Sequence, residues 1–186
     1  MKKALILHGT SSNSNSNWFP WLKAGLENAG WKVWVPDLPN SDEPNVERYN
    51  KHIFENNDWS FDDETVLIGH SSGAVEVLGL LQELDENMVV KQSILIGSFK
   101  DDLGWPNLGG LFVKPFDFAK IKQRSKSFVF IHSDNDPYCP LDHAEYLCKE
   151  LSGELKVLPG QKHFSEETDP RYTTFPLLKD ILLKNS

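Results

Sequence analysis

Gly69-His70-Ser71-Ser72-Gly73 has the form G-x-S-x-G. It follows the apolar run Val66-Leu67-Ile68 and precedes a helical pattern. In that context the serine sits on a sharp, strained strand-to-helix turn that presents its hydroxyl above the sheet edge. Gly69 and Gly73 carry no side chain, so strand and helix can close around the turn. The chemistry this allows is attack by Ser71 on an acyl carbon. A serine hydroxyl is a weak nucleophile until a base takes its proton. Histidine is the usual base, because its ordinary pKa of ~6.5 leaves it largely neutral at pH 7. An ordinary Gly/Ser turn is the competing reading, and the order strand, motif, helix argues against it.

The partners should follow in the order serine, acid, histidine, each on a loop after a later strand. His163 lies in Pro159-Gly160-Gln161-Lys162-His163-Phe164, after the last apolar run. Of the other histidines, His8 and His132 end strands, His70 is inside the turn motif, and His52 and His143 fall in helical patterns expected at the surface. Two acids compete in Ser133-Asp134-Asn135-Asp136-Pro137-Tyr138-Cys139-Pro140. Asp136 is favoured because the prolines stiffen its loop and fix the carboxylate. It would orient His163 and stabilise the imidazolium. Asp134 is left as a turn or cap residue. The backbone N–H groups of Ser72 and Thr10 are the expected oxyanion donors, one after the nucleophile and one in the loop after the first strand. Trp105, Phe112, Phe116 and Phe164 are candidates for the substrate pocket, while Trp18, Trp21, Trp31 and Trp34 read as core. Cys139 lacks a turn of its own and reads as a structural thiol.

These residues need a scaffold that brings several loops to one edge. Candidate strands at 3–7, 32–36, 65–68, 92–96, 127–132 and 154–158 are short, apolar and β-branched, as strands buried on both faces are. Candidate helices at 18–29, 44–56, 72–83, 116–124, 141–151 and 174–184 alternate with them. Pro44 and Pro176 suit first-turn positions and Gly30 suits a helix stop. Strict alternation implies right-handed βαβ units, a parallel sheet and a three-layer αβα sandwich. The polar loop Ser11 to Asn17 then falls at the C-terminal sheet edge, where ligands bind. The stretch 99–114 is too long for an ordinary connection.

The 186 residues fit a single domain, 1–186. They are 39% hydrophobic and 25% charged, with a formal net charge of −8. An acidic chain without a basic run is poorly suited to nucleic acid or an anionic membrane surface. No apolar run approaches the ~18 residues of a membrane span. The apolar stretch after Met1-Lys2-Lys3 is shorter than a secretory signal's ~7–15 residues. With only Cys139 and Cys148 and no disulfide framework or zinc spacing, the expected location is cytoplasmic. Neither G-x-x-x-x-G-K-[ST] nor G-x-G-x-x-G follows the first strand, which weighs against nucleotide binding.

With turn, acid loop and histidine in view, nearly the whole chain resembles the small serine-hydrolase family of retinoblastoma-binding protein 9 and its bacterial relatives. The resemblance is carried by Ile68-Gly69-His70-Ser71-Ser72-Gly73-Ala74, Asn17-Trp18-Phe19-Pro20-Trp21, residues 114–122 and 133–140, and His163-Phe164. It implies a minimal α/β-hydrolase fold with about six parallel strands and no large lid domain. It implies a triad of Ser71, Asp136 and His163, the Asp-Pro pair favouring Asp136 over Asp134. The chain departs from the family at His8-Gly9 and the Ser/Asn loop, where the human member has a Gly-rich turn. It also lacks an L-x-C-x-E motif, since Leu147-Cys148-Lys149-Glu150 has the wrong spacing, so retinoblastoma binding does not carry over. The expected activity is hydrolysis of small acyl esters, with thioesters and activated amides as further substrates, without metal or cofactor. The alternative is a weakly active or non-catalytic binding protein on the same fold.

Overall fold

In the computed structural model, which describes residues 1–184, six strands form one parallel sheet. They are β1 (Lys3–Leu7), β2 (Lys32–Trp34), β3 (Thr65–His70), β4 (Gln92–Ile96), β5 (Phe128–Ser133) and β6 (Glu154–Leu158), in spatial order β2-β1-β3-β4-β5-β6. Between and after them run α1 (Phe19–Glu27), α2 (Val46–Phe54), α3 (Ser72–Glu83), α4 (Phe118–Lys122), α5 (Leu141–Leu151) and α6 (Pro176–Lys184). Successive strand residues point to opposite faces. Ala4, Ile6, Val66, Ile68 and Ile94 therefore join the core under α1 and α6. Leu5, Leu7, Leu67, Leu95 and Phe130 join the core under α2 to α5. The result is the three-layer α/β sandwich expected from the alternation.

Boundaries follow local chemistry. The β2 ladder ends at Trp34, ahead of Pro36, which has no N–H to give. Helix α2 starts at Val46 because Asn45 caps it, its Oδ1 accepting from Arg48 N at 2.9 Å, so Pro44 precedes the cap. Asp117 caps α4 in the same way, shortening the helix expected from 116. Pro176 opens α6, and Gly30 takes the positive φ of 84° that follows α1. Strand β6 departs from the expectation of two buried faces. It is an edge strand with β5 as its one neighbour, Val157 is 40% exposed, and a Glu154–Lys156 ion pair blunts the edge. The stretch after β4 is an ordered strap with a 3-10 turn at Pro106–Leu111, packed through Phe99, Leu108 and Leu111 against Val75 and Cys139.

Helix α3 is buried from Ser72 to Leu81 and carries one carboxyl inside, Glu76. Neither Glu76 oxygen has a hydrogen-bond partner among the described residues. Burial pushes its pKa well above the ordinary 4.5, so the folded protein holds it protonated. Between its unfolded and folded pKa values the folded state binds more protons than the unfolded state. Stability is retained below the unfolded pKa and falls as pH rises toward the folded value. Glu76→Gln is expected to raise stability at pH 7 by more than it does near pH 4.5, because the amide has no charged form to disfavour. Urea unfolding of both proteins at the two pH values checks this, and a pH-independent difference would contradict it.

Candidate active site

Ser71, Asp136, His163 and Thr10 all follow the C-terminal ends of strands, in the loops after β3, β5, β6 and β1. The strand order reverses direction at β1 and β3, which opens a crevice at that sheet edge. Ser71 stands between β3 and α3 with φ 56° and ψ −124°, a backbone conformation that L residues avoid. Its N–H donates to Ile96 O at 2.8 Å, which pins the turn to β4. The two motif glycines are sterically required. A Cβ at Gly69 would lie 2.3 Å from Gly73 O, and one at Gly73 would lie 2.3 Å from Leu7 O.

His163 Nδ1 and Asp136 Oδ2 are 2.7 Å apart, and the Asp136 side chain is fully buried. Asp136 Oδ1 accepts from Tyr138 N at 2.9 Å and Cys139 N at 3.0 Å. Burial disfavours the carboxylate, but the bonds from His163 and the two amides outweigh it and hold the pKa below the ordinary value. An ionised Asp136 can only accept, so Nδ1 carries the proton and Nε2 keeps its lone pair for the cavity side. Among the described residues Ser71 Oγ makes no hydrogen bond to Nε2. Such contacts commonly tighten only once substrate is bound.

The loop carrying His163 is held from several sides. Lys162 and Phe164, on either side of it, have φ of 54° and 56°. Ser133 Oγ accepts from Gln161 N at 2.9 Å, Asp134 Oδ1 from Gly160 N at 2.8 Å, and Asn135 Oδ1 from Lys162 N at 2.8 Å. Trp18 Nε1 donates to Phe164 O at 3.1 Å. His70 Nε2 donates to His163 O at 2.8 Å, and the two imidazole rings are 4.9 Å apart. Burial, with the neighbouring His163 adding to it, lowers the His70 pKa to about 3, so it is a neutral donor. On the other wall, His8 Nε2 accepts from Leu38 N at 2.9 Å, which leaves Nδ1–H to donate to Gly9 O at 2.9 Å. Thr10 Oγ1 donates to Ser72 Oγ at 3.0 Å, setting the first loop against the start of α3. There the first-turn N–H groups, Ser72 N among them, are unspent by the helix. Ser71 and His163 open into a cavity of about 800 Å³. Phe99, Leu103, Trp105 and Leu108 line one side and residues of the Ser/Asn loop the other.

Residues 4–184 match the serine hydrolase family. The chain belongs to that family. It is 27% identical over 184 residues to YdeN of Bacillus subtilis strain 168, covering 97% of this chain and 94% of that one. It is 27% identical over 168 residues to serine hydrolase RBBP9 of Rattus norvegicus, covering 87% of each. The ydeN gene product superposes with a TM-score of 0.88 over 99% of this chain and 98% of its own. The esterase EaEST of Exiguobacterium antarcticum, 16% identical, gives a TM-score of 0.71 over 100% and 91%, which speaks to the fold alone. The fold is that of the α/β hydrolases, with a six-stranded parallel sheet and no large extra domain among the described residues.

In this serine hydrolase, Ser71, Thr10, Trp105 and His163 face the same cavity, and Asp136 stands behind His163. Three of the aromatics suggested for the pocket lie elsewhere. Phe164 is fully buried and stacks on Phe175 at 5.5 Å, because its positive φ turns it into the core under α1 and α6. Phe112 and Phe116, in and just after the strap, pack on each other at 6.1 Å. Phe116 lines a separate groove of about 370 Å³ beside Val46, Phe54 and Gly79. His143, expected at the surface, is buried where Nδ1 accepts from Lys100 N at 3.3 Å. Trp18 and Trp31 are buried as expected, whereas Trp21 and Trp34 are half-buried against the core.

Asp136, Cys139 and His163 place one donor atom each within 4.8 Å of one another, a spacing a metal ion could use. The chemistry of the set does not favour it. Burial raises the Cys139 thiol well above its ordinary pKa, and a thiol must ionise to ligate. Both Asp136 oxygens are already engaged. Gly97 was not singled out by sequence reasoning. Its position just after an apolar strand, like that of Gly69, was the available signal. It adopts φ 59°, and a Cβ there would lie 3.1 Å from His163 Cε1 and 3.6 Å from Asp136 Oδ2. Gly97→Ala is expected to cost about 1–2 kcal/mol of stability, because an L residue is strained at φ 59°. By tilting the imidazole it should also lower kcat about 10-fold or more. Thermal unfolding and turnover of one ester check both effects, and unaltered kcat would contradict the contact's importance.

Proposed function

We propose that this chain, as one domain, hydrolyses small acyl esters through a Ser71–His163–Asp136 triad and an acyl-enzyme. Ser71 Oγ attacks the acyl carbon while His163 Nε2 takes its proton. The developing oxyanion is received by the N–H groups of Thr10 and Ser72, each such donor being worth ~2.7–4 kcal/mol in the transition state. His163 then gives the proton to the leaving oxygen, and water, activated by the same nitrogen, releases the acid and restores Ser71. Asp136 holds the tautomer and stabilises the imidazolium between transfers. The observation that carries this reading is the fully buried carboxylate of Asp136 at 2.7 Å from His163 Nδ1, on a histidine that shares a cavity with a strained serine. Esters are preferred as substrates because the fold neighbours include an esterase and the described residues form no large lid for long lipids. Thioesters and activated amides fit the same steps. A binding protein on this fold is the second reading, and the unformed Ser71–His163 hydrogen bond is what favours it. Turnover of p-nitrophenyl acetate by wild type, lower by orders of magnitude in Ser71→Ala, tests the proposal, and equal rates in the two proteins would overturn it.

A further inference from the structure

We propose that the leaving-group side of the cavity is a cation subsite, in which Trp105, Tyr138, Glu166 and Glu167 select an ester whose alcohol carries an ammonium group. The inference rests on the hydrolase reading of Ser71 and His163. His163 must reach the leaving oxygen, so the alcohol part lies beside its ring. What stands there is aromatic and acidic. The Tyr138 and His163 rings are perpendicular, with centroids 5.0 Å apart. Trp105 stands 6.0 Å from Tyr138 at 72° and is 45% exposed. Tyr138 OH donates to Glu167 Oε1 at 2.9 Å, which places that carboxylate at the edge of the aromatic pair. Glu166 is held next to it by its N–H, which donates to Asn17 Oδ1 at 2.9 Å. Among the described residues lining the cavity, Glu166 and Glu167 are the only Asp, Glu, Lys or Arg side chains. Lys162, close by in sequence, turns its Nζ to Thr168 O at 2.7 Å. A cation is attracted both by aromatic rings and by carboxylates, whereas an anion meets repulsion that the net charge of −8 reinforces.

The test compares kcat/KM for butyrylcholine, its uncharged isostere 3,3-dimethylbutyl butyrate, and the anionic 3-sulfopropyl butyrate, at one fixed ionic strength. Wild type is expected to favour the cationic ester over the neutral one by on the order of 10-fold. It should disfavour the anionic ester relative to the neutral one. The cationic preference should fall toward one in Glu166→Gln/Glu167→Gln and in Trp105→Ala, each ratio being normalised to the neutral ester within the same variant. Turnover of the neutral ester with a wild-type ratio of one overturns the subsite and leaves the hydrolase reading standing. A ratio that survives in both variants also overturns it. If no ester is turned over and a fluorophosphonate fails to label Ser71, the hydrolase reading fails and the subsite fails with it.

Discussion

Ser71→Ala and His163→Ala are each expected to lower kcat by about a millionfold, with nearly equal losses and little further loss in the double variant, because nucleophile and base act as one unit. Alanine at 71 carries the same Cβ into the same backbone conformation, φ 56°, so the turn and the helix behind it should be undisturbed. At 163 the loop keeps its anchors, since the bonds from His70 and Trp18 reach the carbonyls of His163 and Phe164 and not the lost ring. Both variants should therefore show wild-type circular dichroism and melting behaviour. A residual rate about 10³–10⁴ above the uncatalysed reaction should persist from the oxyanion donors and binding. Additive losses in the double variant would mean that the two residues do not act on the same proton.

Asp136→Asn is expected to lower kcat by about 10⁴-fold, while Asp134→Asn stays within a few-fold of wild type. The contrast follows from what each carboxyl touches. Asp136 accepts from three donors, and an amide there can turn an N–H₂ group toward His163, forcing the proton onto the wrong ring nitrogen. Asp134 accepts one bond, from Gly160 N, and an asparagine oxygen can take that bond unchanged. Steady-state kinetics of both variants on one neutral ester separates the two roles. A larger loss at 134 than at 136 would reverse the assignment.

The sheet was readable because its inner strands are buried on both faces and so write continuous apolar runs. β1 and β4 keep the bounds that those runs predict. Strand β6 also kept its bounds, yet its edge position left no mark on its short run. The turn motif, the acid loop and His163 were legible for a different reason, since chain order and strand-loop position constrain them. The residues that hold them were not. Ser133, Asn135, His70 and Trp18 act through contacts across 27 to 146 positions of sequence, and such contacts leave no local pattern. The pocket aromatics failed in the same way. Phe164 neighbours His163 in sequence, but a positive φ sends its ring to the opposite side. Phe112 and Phe116 belong to the strap, whose packing no periodicity reports.

Hydrolysis by this chain requires an activated Ser71. Folded wild-type protein, treated with a neutral fluorophosphonate and digested for mass spectrometry, should carry the label on Ser71 alone. Labelling should vanish in Ser71→Ala and slow by orders of magnitude in His163→Ala. Folded wild type that takes no label, or takes it equally in Ser71→Ala, would contradict the account.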